Sequence, residues 1–244
     1  MPDDRSKLLA VLIDADNVPA SYAEAIFEEI TSLGEASVRR IYGDFAREGL
    51  KTWAKKLAKL AIVPIHSPSN TKGKNSSDIS LVIDAMDILH QGRFDGFVLV
   101  SSDSDFTRLA SRIREHGLDV YGMGEQKTPE AFRMACKRFI YVENLGDDGA
   151  SEELAAERGE PAPAPKRKLA PNDARSLVLR AMEAIDQDDE WYSLGQIGQH
   201  ITAANPDFDP RTYGKKKLTE LIAELPILEL RRGAGNQWEA RRLD

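Results

Sequence analysis

The chain has 244 residues, with 33 Lys and Arg against 40 Asp and Glu, for a formal charge of −7. A 41% hydrophobic and 30% charged content is ordinary for a soluble globular protein; it excludes a wholly disordered chain and nucleic-acid binding through overall basicity. One cysteine, Cys136, excludes a disulfide framework and a Cys-rich zinc module, and His66, His90, His116 and His200 are too far apart for an HxxxH pair.

Leu8–Ile13 is a continuous apolar run of strand type. It stops at Asp14, too short for a signal peptide or a membrane span, so a cytoplasmic, reduced protein with no membrane partner is expected. Ala20–Leu33 reads as a helix, Ser37–Tyr42 as β-rich, and Leu50–Leu60 as a helix carrying Lys51, Lys55, Lys56 and Lys59. Ile62–His66 is a strand, and Ile79, Val82, Ile83, Met86 and Leu89 then fall at helical spacing. Phe97–Val100 (strand), Phe106–Glu115 (helix), Leu118–Tyr121 (strand), Pro129–Ala135 (short helix) and Phe139–Val142 (strand) complete the first unit. Strands without polar alternation, each followed by a helix, predict an α/β unit with a mostly parallel sheet covered on both faces. Such sheets place their sites at the carboxyl ends of strands.

Those ends are acidic. The first strand runs into Asp14-Ala15-Asp16-Asn17, and the strand Phe97–Val100 into Ser101-Ser102-Asp103-Ser104-Asp105. The helix between them opens with Ser76-Ser77-Asp78 and carries Asp84. If the two strands are neighbours, they lie about 5 Å apart. Carboxylates so crowded repel one another unless a cation neutralises them, and oxygen ligands without His or Cys select Mg²⁺ or Mn²⁺. Such an ion activates water and stabilises a leaving oxygen in phosphodiester cleavage. Plainer roles stand beside this one. Asp78 suits a helix N-terminus, Asp105 and Ser104 suit a cap, and Asp84 suits a solvated helix face. Asn17 either orients Asp14, binds substrate or caps the helix at Ala20.

Residues 1–145 carry a charge of −2, residues 146–165 carry −5, and residues 166–244 are balanced. The acidic stretch ends Pro-Ala-Pro-Ala-Pro and cannot bury a core, so 146–172 reads as an extended linker between a domain at 1–145 and one at 173–244. Most of the negative charge therefore belongs to the linker and does not argue against an RNA partner. Beyond it, Ala174–Ile185 and Leu194–Ile201 read as helices, with Trp191-Tyr192 extended. Pro206–Pro210 is a rigid loop, and Arg211–Leu225 reads as a third helix with Leu218, Leu221, Ile222 and Leu225 on one face. Ile227–Arg232 and Gln237–Arg242 flank Gly233-Ala234-Gly235-Asn236 as a hairpin. Three helices and a hairpin predict a small winged helix-turn-helix, with Trp191 and Trp238 as core residues.

Leu12–Asn17, Ser77–Asp84 and Leu99–Phe106 resemble the three motifs of NYN domains, PIN-like metal-dependent ribonucleases, over about residues 6–145. The resemblance implies a PIN-like Rossmannoid parallel sheet and metal ligation by Asp14, Asp78, Asp103 and Asp105. It also puts Asn17 at the motif-one Asn and Asp84 at a further acidic position outside the four ligands. Asp16 falls where the family varies and is not counted as a ligand. Ser102 departs from the family's Ser-Gly-Asp turn, and if that turn needs φ > 0 the serine adds strain or moves Asp103. Asn205–Gly214, Lys215–Leu218, Trp191, Leu194 and Trp238-Glu239-Ala240 resemble the LOTUS or OST-HTH domain over roughly 172–242. That resemblance implies contacts with RNA or with a protein partner.

Phosphate contacts are expected from Lys51, Lys55, Lys72 and Lys74 in the first unit, and from Lys215, Lys216, Lys217, Arg231 and Arg232, with Arg241 and Arg242, in the second. The reading is a ribonuclease domain tethered to an RNA-binding winged helix; the oligomeric state is open. No P-loop occurs, and Gly122-Met123-Gly124 lacks the third glycine of a dinucleotide fingerprint. Two alternatives remain: a non-catalytic RNA-binding or adaptor protein with a vestigial acidic site, and a phosphatase of haloacid dehalogenase type using Asp14-x-Asp16.

Overall fold

A computed structural model describes residues 5–67, 76–146, 168–187 and 189–243. Lys72, Lys74 and residues 147–167 of the expected linker lie outside the described residues. The chain divides into two compact units, Met1–Ala164 and Pro165–Asp244.

The first unit is built on six parallel strands: β1 (Leu8–Asp14), β2 (Glu35–Gly43), β3 (Val63–His66), β4 (Gly96–Val100), β5 (Asp119–Gly124) and β6 (Arg138–Tyr141). Their order is β3-β2-β1-β4-β5-β6. The direction of winding reverses between β1 and β4, and a crevice opens there at the carboxyl ends. Helices α1 (Ala23–Thr31), α2 (Lys51–Leu57), α3 (Ser76–His90), α4 (Thr107–Glu115) and α5 (Glu130–Ala135) alternate with the strands.

Both faces of the sheet are covered, which is why β1 is apolar at successive positions. Leu9, Val11 and Ile13 pack with Ile26 and Ile30 of α1 and with Trp53 of α2. Ala10 and Leu12 point the other way and pack with Leu81, Ala85 and Ile88 of α3 and Leu109 and Ile113 of α4. Each large side chain so buried contributes about 1.5–3 kcal/mol. The two-residue period carries Asp14 onto the same face as Leu12, toward α3 and α4.

The apolar spacing in 79–89 predicts a helix, and α3 forms there, but its buried side is Ser77, Leu81, Ala85, Ile88 and Leu89. Ile79 and Ile83 are 58% and 56% exposed. A polar contact on the sheet side sets this rotation. The Asp84 carboxylate accepts from the Arg40 guanidinium and the Tyr42 hydroxyl, each at 2.8 Å. Asp84 is thus an anchor of α3 to β2 and does not lie on a free solvated face. Burial and the Asp84 charge push the Tyr42 hydroxyl far above the usual phenol range, so it stays a proton donor.

β5 ends in a close approach. A Cβ at Gly124 would lie 2.4 Å from the Ser101 carbonyl oxygen and 2.8 Å from Thr128 Oγ1. The glycine is there to admit the β4 end.

In the second unit, helices Arg175–Ala184, Leu194–Ala204 and Leu218–Ala223 pack beside a small antiparallel sheet in the order β7-β9-β8. Its strands are β7 (Tyr192–Ser193), β8 (Leu228–Arg232) and β9 (Trp238–Arg242). Val178, Ile197, Ile201, Ile222, Leu228 and Ala240 form the core. The long helix expected over 211–225 is broken. A single turn at Pro210–Tyr213 ends at Gly214, which is left-handed with φ 72°, and helix begins again only at Leu218. Asp209 caps the first turn by accepting from the Arg211 N–H at 2.8 Å, Pro210 fixes its first residue, and glycine adopts the left-handed exit without strain. Leu221, Ile222 and Leu225 stay buried despite the break.

Gly124→Ala is expected to lower stability by about 1–3 kcal/mol through overpacking. Denaturant unfolding of the variant against the parent measures it. An unchanged midpoint would mean that the β4 and β5 ends yield at no cost.

Candidate acidic centre at the switch point

The β1–β4 register pairs Ile13 with Val100, so Asp14 comes level with Ser101. Asp14 is 1% exposed. Its Oδ2 accepts from the Asn17 side-chain amide at 2.6 Å and from the Ser101 hydroxyl at 2.8 Å, and its Oδ1 accepts from the Asp16 N–H at 3.2 Å. Burial pushes the Asp14 carboxyl pKa up while those three donors pull it down, and the net direction is up. Asn17 therefore orients Asp14; it does not cap the next helical turn, whose N-cap is Pro19.

Ser101 is the hinge of the site. Its hydroxyl donates to Asp14 and its oxygen accepts the Asp103 N–H at 3.0 Å. Asp103 in turn is the N-cap of the turn Ser104–Phe106, with Oδ1 accepting the Asp105 N–H at 2.9 Å. The capping role anticipated for Asp105 and Ser104 thus falls to Asp103. Sequence reasoning passes over Ser101, although its place directly after an apolar strand and two residues before Asp103 is the signal that points to it.

Asp78 stands in the first turn of α3, half-buried. Its carboxyl pKa is pushed up to about 6, first by burial and then by the charges of Asp14, Asp103, Asp105 and Asp16. All four expected acids therefore share one electrostatic field. They do not form a finished ligand sphere: among the described residues, no three His, Cys, Asp or Glu side chains converge closely enough to hold a metal ion. Both Asp14 oxygens and one Asp103 oxygen are already occupied by donors. The set still fits a hard divalent ion in charge and donor type. Every donor is a carboxylate oxygen, and none of the four acids has a basic ion-pair partner among the described residues, whereas Asp16 meets Arg47 at 3.5 Å. The fit is of chemistry and not of preset coordination.

Ser102 brings no strain. The non-glycine residues with positive φ among the described residues are Ala61 and Asn236. The buried Ser102 hydroxyl accepts the Glu125 N–H at 2.9 Å, which ties the β4 end to the β5 end.

The basic residues divide sharply. Lys51 is paired with Glu48, and Lys56 and Lys59 with Glu24, while Lys55 is exposed with no ion pair among the described residues. In the second unit Lys215 pairs with Glu224, Arg231 with Glu239 at 2.8 Å, and Arg241 with Glu229 and Glu190. Lys216, Lys217, Arg232 and Arg242 have no ion pair among the described residues. Trp191 and Trp238 are less buried than expected of core residues, although Trp238 does pack against the core of this unit. Both are half-buried, with the Arg231 guanidinium 3.9 Å from the Trp191 ring centre and that of Arg232 4.0 Å from the Trp238 ring centre.

A doubly wound parallel sheet with an acidic centre at its switch point, joined to a small winged-helix unit, is thus the class of this protein. The chain belongs to the NYN domain family: the family model matches residues 8–143, and the OST-HTH/LOTUS domain model matches residues 171–239. No curated protein matches the chain. Among solved structures it is similar to a protein of unknown function from Vibrio parahaemolyticus RIMD 2210633, at 20% identity over 58% of this chain and 96% of that one, with a TM-score of 0.49. Among the described residues, no helix is long and apolar enough to cross a membrane.

The raised Asp78 pKa has a stability consequence. Between the ordinary value of 3.8 and about 6, the folded state holds a proton that the unfolded state has lost. Stability therefore falls as pH rises through that window. Asp78→Asn is expected to raise stability above pH 6 by about 1 kcal/mol, a figure discounted for partial exposure, and to add nothing below about pH 4. Thermal unfolding in EDTA across this range tests it. An equal gain at every pH would assign the effect to packing.

Proposed function

We propose that the chain is a metal-dependent ribonuclease: its N-terminal unit cleaves RNA phosphodiesters at the switch-point acids, and its C-terminal unit holds the RNA. The observation that carries this reading is the field of Asp14, Asp103, Asp105 and Asp16 on Asp78, uncompensated apart from Arg47 on Asp16, within a domain of a PIN-like nuclease family. Asp14, Asp78, Asp103 and Asp105 would hold Mg²⁺ or Mn²⁺, which when bound acidifies water and stabilises charge on the phosphate. Asn17 and Ser101 donate to Asp14 and orient it, offsetting part of the cost of burying its charge. Asp103 keeps one oxygen on the Asp105 N–H, and the cap does not use the other. RNA is the expected partner through the OST-HTH/LOTUS unit.

A non-catalytic RNA-binding protein is the second reading, and the unassembled ligand set favours it. Its other support, strain at Ser102, is gone. The phosphatase reading has no specific observation in its favour, and the match of residues 8–143 to the NYN family model stands against it.

Labelled single-stranded RNA is expected to be cut with Mn²⁺ and left intact with EDTA. Asp103→Asn and Asp78→Asn should each reduce cleavage by about 100-fold, several kcal/mol of charge stabilisation. RNA that is bound but uncut under every divalent ion selects the second reading.

Ser101→Ala, which touches no substrate, should lower cleavage by about 10-fold through loss of Asp14 orientation. A kcat fall with KM unchanged identifies that positioning role. A cleavage rate equal to the parent's would leave the orientation to Asn17 and the Asp16 N–H.

A further inference from the structure

The second unit contains an open cleft of about 730 Å³ that the reading above does not use. Two cations, Lys217 and Arg232, and one carboxylate, Glu220, line it together with Thr219, Gln237 and Trp238. Its construction follows from the strand period. Arg231 and Glu239 pair across β8 and β9 on one face, where Arg241 and Glu229 pair beside them, so that face is closed by its own ion pairs over Trp191. Arg232 and Trp238 pair directly on the other face, at the end of the row that buries Leu228 and Ala240.

That row ends in the cleft with a guanidinium lying on an indole. The Arg232 carbon is 4.0 Å from the Trp238 ring centre, and its Nη1 donates to the Asn236 carbonyl at 2.5 Å. The arginine is thereby held in place, without a carboxylate to neutralise it among the described residues. Lys217 stands across the cleft, exposed and likewise without an ion pair among the described residues. The helix Leu194–Ala204 opens into the same space, and no side chain caps its N-terminus at Ser193. Stacked arginine and indole suit the face of an unpaired base, and an unneutralised lysine beside them suits the phosphate next to it. The polar Gln237 and Thr219 supply donors and acceptors for a base edge.

We infer that this cleft is a binding site for single-stranded RNA, taking one unpaired base against the Arg232–Trp238 stack and its phosphate at Lys217. The inference rests on the RNA partner proposed above and narrows it to a place and a strand state. It also sorts the basic residues of this unit: Lys217 and Arg232 bind, while Lys215 and Arg231 are spent on Glu224 and Glu239.

The full chain, in EDTA to prevent cleavage, is titrated with a labelled single strand and with the duplex of the same sequence. Arg232→Lys keeps the charge and loses the stacked plane, so it should weaken single-strand binding by about 5-fold or more and leave duplex binding unchanged. Lys217→Gln should lower the salt slope by about 0.7, the value for one phosphate contact on a single strand. Arg180→Gln, an exposed charge outside the cleft, should change neither. Parent-like single-strand binding by both cleft variants overturns the assignment and leaves the cleft to a protein partner. An equal loss in Arg180→Gln overturns it in favour of diffuse charge. A parent chain that binds no single strand removes the RNA partner itself, an outcome distinct from either.

Discussion

A carboxylate carried to the end of a buried strand is unstable unless its oxygens are hydrogen-bonded, and much of the first unit is arranged around meeting that condition for Asp14. Parallel pairing of β1 with β4 brings Ser101 level with it, the chain turning after β1 supplies the Asn17 amide and the Asp16 N–H, and Gly124 leaves room for Ser101 to stand there. The switch point therefore has a structural cause for its precision. The same three donors that make the buried acid tolerable also fix where its oxygens point. An acid that is also part of the sheet's closure cannot drift by much without cost to the fold.

The remaining acids have the opposite character. Asp78 and Asp105 hold no basic partner among the described residues, and Asp103 spends one oxygen on a cap. Burial first, and then the charges of its acidic neighbours, raise the Asp78 carboxyl, and that repulsion is energy left uncompensated in the folded chain. A divalent ion would relieve it, and binding would then be coupled to stability by mass action.

The sheet and its acidic end were legible in the sequence because continuous apolar runs ending in Asp are hard to read otherwise. Three other features were not. Periodicity in α3 could not separate Ile79 and Ile83 from the residues that are buried, because the rotation of the helix is set by a long-range bond from Asp84 to Arg40 and Tyr42. The helix expected over 211–225 breaks at Gly214, where a cap and a left-handed residue outweigh a favourable apolar stripe. Trp191 and Trp238 are expected in the core because a large ring is usually worth most when buried; Trp238 does pack against it, but both rings are only half-buried. Arginines that cover their faces achieve much of the same exclusion from water while leaving a charge at the surface.

That last point bears on how a domain of zero net charge (residues 166–244) can present a basic surface. Net charge sums over groups that cancel in place and groups that do not. Glu224, Glu239 and Glu229 each lie on a cation a few residues away in space, and those pairs contribute little field beyond their own neighbourhood. The acids left over include Asp209, which is consumed by Arg211 within its own turn. Near the hairpin Arg232 and Lys217 line a common cleft in which Glu220, bonded to the Lys216 N–H, is the one carboxylate among the described residues, and the Trp238 ring gives the net positive charge a surface of defined shape. Specific recognition of an anion with a flat base needs this local arrangement, and the domain's charge balance neither supplies nor prevents it.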